Sequence, residues 1–114
     1  MVIDACSFGV IVIDGKKHTS DLLIYPDGRI MKPWWRKSGH RLSSDDIKEL
    51  VESEPEFIIA GTGVSGHVRP DKTLEKILRQ KGITFIAAPN HDAMRHYNEI
   101  SQKKRVGACF HLTC

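Results

Sequence analysis

The sequence predicts an α/β domain built on a mixed β-sheet, with an antiparallel hairpin region in its N-terminal half and a β-α-β-α-β unit in its C-terminal half. Three observations carry this expectation. Apolar, β-branched runs bounded by Asp-Gly and Pro-Asp-Gly turns open the chain. Short apolar strands then alternate with stretches of helical periodicity. Strand-helix-strand spacing of that kind implies right-handed parallel crossovers. The 114 residues are expected to form one domain, 1–114, because domains commonly hold roughly 100–150 residues. A chain of this length can bury a core without disulfides or metals.

Taken in order, Phe8 to Ile13 reads as a buried strand, and Asp14-Gly15 is a strong hairpin-turn signal. The return strand is expected from about Lys16 to Tyr25. Pro26-Asp27-Gly28 marks a second turn, and Arg29 to Lys32 a short strand that pairs back. Pro33 breaks the pattern and opens a mixed aromatic and basic loop, Trp34 to Arg41. Ser43 or Ser44 can cap the next helix, with Asp45 and Asp46 favourable in its first turn. Ile47, Leu50 and Val51 keep one-face helical spacing up to Pro55. Phe57 to Ala60 is a short strand, followed at once by the loop Gly61–Gly66. A second helix is expected over Asp71–Lys81, with Gly82 as its left-handed stop. Ile83 to Ala87 is the next strand and His91–Lys103 the third helix, with Ala93, Met94, Tyr97 and Ile100 inward. Val106 to Leu112 is the last strand.

Composition narrows the function classes. The chain is 40% hydrophobic and 27% charged, close to the average soluble domain. No apolar run approaches the roughly 20 residues of a membrane helix. Asp4 stands where a signal peptide has a basic segment, so a cytoplasmic location without membrane partners is expected. Cys6, Cys109 and Cys114 form no C-x-x-C pair and no even framework. Cys109 is expected as a small buried hydrophobe. The net charge of +3 is low for a dedicated nucleic-acid binder, which shows a stronger, clustered excess.

Ligands of open α/β sheets sit beyond the carboxyl ends of the parallel strands. That rule places Gly61, Thr62, Gly63, Ser65, His67 and Arg69 after one strand, Asn90 and His91 after the next, and Thr113 and Cys114 after the last if it too is parallel. Two close glycines let backbone amides approach a ligand, and Thr62, Ser65 and Arg69 would suit a small anion. The loop lacks both the dinucleotide and the P-loop spacing, and a tight turn needing positive φ accounts for its glycines equally well. His40, His67, His91, His96 and His111 include no H-x-x-x-H pair and no four-ligand frame, so no metal and no cofactor are expected. Thiol catalysis is not indicated either, because Cys114 lies where chains fray. Trp34, Trp35, Arg36 and His40 are candidates for a protein interface, since Trp and Arg are favoured anchors. A tryptophan capping the core beside a solvated basic loop is the plainer alternative.

Several segments resemble the Mth938-like family: Ser7 to Ile13, Asp21 to Ile24, Trp35 with Gly39 and His40, Gly61 to Gly63, and Tyr97-Asn98 followed by Arg105 to Cys114. The resemblance spans essentially the whole chain. It implies a three-layer α/β fold with a mixed central sheet and brings no established reaction. Eukaryotic relatives are linked to respiratory complex I assembly and to adipocyte differentiation. Many relatives carry Thr-Tyr-Asn where this chain has His96-Tyr97-Asn98. The leading functional expectation is a small protein-binding or assembly module with an anion pocket at Gly61–Gly66. An enzyme acting on a small anionic metabolite, with His67 or His91 moving a proton, is the alternative. Weak nucleic-acid binding comes third.

Overall fold

The protein is described by a computed structural model covering residues 1–114. The chain opens with a three-stranded antiparallel sheet: β1 (Ile3–Ser7), β2 (Val10–Ile13) and β3 (Lys16–His18). Both Asp14 (φ 50°) and Gly15 (φ 78°) are left-handed, as a type I′ hairpin turn requires. The pairing of β1 with β2 contains an irregularity between Ile3 and Ala5.

Two N-terminal expectations are corrected here. The strand expected from Phe8 begins at Val10; Phe8 stands in the preceding turn, 68% exposed. The expected single return strand is two strands in two sheets. β3 ends at His18, and β4 (Leu22–Ile24) joins a different sheet. The break falls at Thr19–Asp21. There the Asp21 carboxylate accepts the Leu112 amide at 2.8 Å and ties the start of β4 to the end of the last strand.

That second sheet has five strands. It holds β4, β5 (Ile30–Met31), β7 (Phe57–Gly61), β9 (Thr84–Ala88) and β10 (Val106–Phe110), in the order β5-β4-β10-β7-β9. β7, β9 and β10 are parallel to one another, while β4 runs antiparallel to β10. A two-residue parallel pair, β6 (Arg41–Leu42) with β8 (Arg69–Pro70), lies apart from both sheets. The helices are α1 (Lys48–Glu52), entered through a 3-10 turn at Ser44–Ile47, α2 (Lys72–Gln80) and α3 (Asn90–Ile100).

The five-stranded sheet is buried on both faces, so its residues alternate between two cores. Leu23, Ile58, Ala60 and Cys109 face Leu50 of α1 and Leu74 and Leu78 of α2. Leu22, Ile24, Ile59, Ala108 and Phe110 face Ala93 and Tyr97 of α3 and Ile3, Ile11 and Ile13 of the hairpin sheet. Leu74 and Leu78, four apart on α2, are both fully buried, each contributing about 1.5–3 kcal/mol. α2 ends as its sequence predicts: Gly82 is left-handed (φ 74°), its amide bonds Arg79 O, and the Ile83 amide bonds Leu78 O at 2.9 Å. This double bond with an apolar Leu78–Ile83 contact is a Schellman stop. Asn98 of α3 clamps β1 by accepting the Ile3 amide and donating to the Ile3 carbonyl, both at 2.8 Å.

Cys109 is buried as expected, and burial pushes its thiol up to about 12. Alkylation needs the thiolate. With iodoacetamide at about pH 8, Cys109 should stay unmodified in the folded protein and react only after denaturation. Peptide mass mapping checks this; modification at the rate of half-buried Cys114 would contradict it.

Candidate site at the carboxyl edge of the parallel strands

Because β10 is parallel to β7, residues 111–114 emerge at the same edge as the loop after β7 and the start of α3. The sequence left this orientation open. Gly61 packs against the Phe110 ring and the Asn90 side chain, leaving no room for a Cβ. Gly63 is left-handed (φ 110°), and a Cβ there would lie 2.6 Å from Thr113 O. Asn90, 2% exposed, joins the two segments: Oδ1 accepts the Gly63 amide at 3.0 Å and Nδ2 donates to His111 O at 2.6 Å.

The loop amides turn inward. Those of Thr62, Gly63, Val64, Gly66 and Val68 donate to Ala88 O, Asn90 Oδ1, Thr113 O, Gly63 O and Thr62 O. Thr62 is itself buried. The glycines here serve close packing and tight turns, and these donors are engaged within the fold. Ser65, His67, Arg69 and His91 are exposed. The Arg69 and His91 side chains form no hydrogen bond or ion pair with the other predicted site residues. The edge therefore unites Gly61, Gly63 and Asn90 with the last four residues, and it leaves Arg69 and His91 apart.

A polar network, invisible to motif reading, fills the neighbouring corner. Asp21 Oδ2 lies 2.7 Å from His111 Nδ1 and 3.0 Å from the Arg36 guanidinium. His111 Nε2 lies 3.1 Å from Thr113 Oγ1. Burial pushes the Asp21 carboxyl up, but hydrogen bonds from the Leu112 amide, His111 and Arg36 outweigh it and hold Asp21 below the ordinary carboxylate value. The same Nδ1 lies 2.9 Å from Arg36 Nη2, so Asp21 and Arg36 both face one ring nitrogen. The Thr113 hydroxyl also faces Cys114 Sγ, 4.0 Å away. Carboxylate, imidazole and hydroxyl stand in the order of a hydrolytic triad, while the nearby Thr62, Gly63, Val64, Gly66 and Val68 amides are engaged within the fold.

The Trp34–Arg41 loop divides into an inward and an outward part. Trp34 is 4% exposed and its Nε1 donates to Asp46 O at 2.9 Å. Arg36 stacks over the Trp34 ring, 5.0 Å from its centroid, and its side chain is buried against Asp21. The Lys37 amide donates to Asp46 Oδ1. These anchors fix the loop while Trp35 stands 80% exposed. Beside it runs a groove of about 500 Å³ with Leu23, Met31, Pro33 and Trp34 as its apolar lining and Lys37, Asp45, Lys48 and Glu49 among its charged groups. His40 lies on the other flank, its ring centroid 5.9 Å from that of His67.

Sequence reading placed Thr113 and Cys114 here on condition that the last strand is parallel, which it is, and did not gather Asp21 and His111 with them. Only the parallel course of β10 and the sheet change at Asp21 bring them together, and neither has a local signal.

Comparison with known proteins agrees with this architecture. The structure is similar to that of the conserved hypothetical protein PH1505 from Pyrococcus horikoshii OT3, 28% identical, with a TM-score of 0.88 and 100% of both chains covered. MT938 is 30% identical, with a TM-score of 0.82 over 99% of this chain and 98% of its own. A Mth938-like domain protein from Bordetella pertussis shares the fold at 15% identity, with a TM-score of 0.73 over 97% and 85% of the two chains. No helix is long and apolar enough to cross a membrane. A family model for proteins of unknown function (DUF498/DUF598) matches residues 3–111, and the chain belongs to this Mth938-like family.

Proposed function

We propose that this chain acts by binding another protein through the Trp35 groove. The observation that carries the reading is an indole 80% exposed on a loop that Trp34, Arg36 and Asp46 hold in place. A tryptophan fixed before binding loses little entropy on contact, and such residues dominate interface energies. The apolar floor suits an aliphatic or aromatic side chain of the partner. The walls carry both signs of charge, with Lys37 paired to Asp45 at 2.8 Å. Asp45 and Glu49 would repel a phosphate backbone, so a protein segment fits better than a nucleic acid. The engaged amides of the Gly61–Gly66 loop give the anion and enzyme readings less support.

A photo-crosslinking side chain at Lys48, inside the groove, should capture a defined partner that the same group at Glu99 on α3 does not. Excess wild-type protein should compete, and Trp35→Ala protein should not. Identical adducts from both positions, or equal competition by the variant, would refute the reading. Trp35→Ala should also leave the urea midpoint within the equivalent of about 0.5 kcal/mol of wild type, as for other exposed positions. A larger loss would mean that the indole serves the fold instead.

A further inference from the structure

His40, His67 and Cys114 come together at one corner of the molecule, one ligand atom of each lying within 4.8 Å of the others. We propose that these three residues form a zinc site. It is independent of the protein-contact reading, since none of the three lines the groove.

The three come from segments far apart in the chain, and backbone bonds fasten those segments together. The Arg69 amide donates to His40 O at 2.8 Å, which sets His40 beside the strand that follows His67. The Val68 amide donates to Thr62 O, closing the loop that carries His67. The Val64 amide donates to Thr113 O at 3.0 Å, and Gly63 packs against the backbone of Thr113 and Cys114. The Cα positions of all three ligands are therefore set by main-chain contacts, and only side-chain rotation remains. Both imidazoles are exposed and the thiol is half-buried, so the rotation meets little resistance.

Tetrahedral zinc with nitrogen at about 2.0 Å and sulfur at about 2.3 Å needs donors about 3.5 Å apart. Closing from 4.8 Å takes a shift of about 1 Å, within the reach of a χ adjustment on exposed rings. Two imidazoles and a thiolate match zinc's preference for nitrogen and sulfur and disfavour magnesium and calcium, which take oxygen. Three protein ligands leave a fourth position for water or a further donor. Behind the sulfur stands Thr113, whose hydroxyl lies 4.0 Å from Sγ and connects through His111 to Asp21. A hydroxyl donating to a metal-bound thiolate orients it, as hydrogen-bonded neighbours of metal ligands commonly do. The polar network thus gains a use that the hydrolytic comparison does not supply.

The test uses untagged full-length protein free of added thiols. Titration with Co²⁺ should saturate at one ion per chain. It should bring the near-ultraviolet thiolate-to-cobalt absorption and the intense visible bands of a tetrahedral site, both bleached by Zn²⁺. Zn²⁺ should also protect Cys114 from iodoacetamide, read by mass mapping. Cys114→Ser should abolish the thiolate absorption, and His40→Ala or His67→Ala should each weaken binding at least about tenfold. Cys6→Ser and His96→Ala should change neither quantity. The proposal is overturned if the absorption survives Cys114→Ser, or if Zn²⁺ leaves Cys114 alkylation in the wild type unchanged. That last measurement needs no variant to fold.

Discussion

Replacing Asp21 with Asn is expected to lower the unfolding free energy by about 3 kcal/mol, the cost of breaking a buried ion pair from one side. The Asp21 carboxylate accepts the Leu112 amide at Oδ1, and Oδ2 faces both His111 Nδ1 and Arg36. An amide has one oxygen for these donors, and its NH₂ group would point at further donors. The Arg36 side chain, only 7% exposed, would lose its counter-charge without gaining water. Urea unfolding measures the loss, and an unchanged midpoint would show that the network is decorative. The pH dependence has a definite sign. The folded-state pKa of Asp21 lies below its ordinary value of 3.8. Its contribution is therefore fully present above that value and is lost as pH falls through the lower folded one. The gap between wild type and Asp21→Asn should shrink below about pH 4.

Asn90→Ala is expected to cost a comparable amount, about 3 kcal/mol, because it orphans two buried backbone groups at once. The Gly63 amide loses its acceptor and the His111 carbonyl its donor. Each unsatisfied buried polar group costs about 1–3 kcal/mol. Water cannot readily replace the side chain, since Gly61 and Phe110 close around it. Hydrogen exchange gives a second, local readout: the Gly63 amide should exchange far faster in the variant while the α2 amides hold their protection. Equal loosening across α2 and the Gly63 loop would point to global destabilisation alone.

Much of the C-terminal half was legible because each element carries its own signal. Leu74 and Leu78 mark the inward face of α2, Gly82 stops it, and β7, β9 and β10 read as strands. The N-terminal half was harder for a physical reason. β1 is Ile-Asp-Ala-Cys-Ser, with only Ile3 buried, so it has no apolar face to announce it. The sheet change after His18 rests on one side chain, Asp21, whose partner amide is 91 residues away. The candidate residues fared in the same way. Trp34 and Trp35 are neighbours of the same type, and their opposite fates depend on where Asp46 and Arg36 lie. His40, His67 and Cys114 have no ligand spacing in sequence, because strand order rather than loop length brings them together.

β10 is the last strand in the chain and the middle strand of its sheet. The β4–β5 hairpin and the β7–α2–β9 unit are made before it, and each meets the other only through it. Until Val106–Phe110 is in place, the two half-sheets therefore have facing edges unpaired. An mRNA truncated just upstream of Val106 would yield a product with nearly every helix and strand but no joined sheet. A copy that lacks β10 exposes two open inner edges, those of β4 and β7, and the one strand closes both.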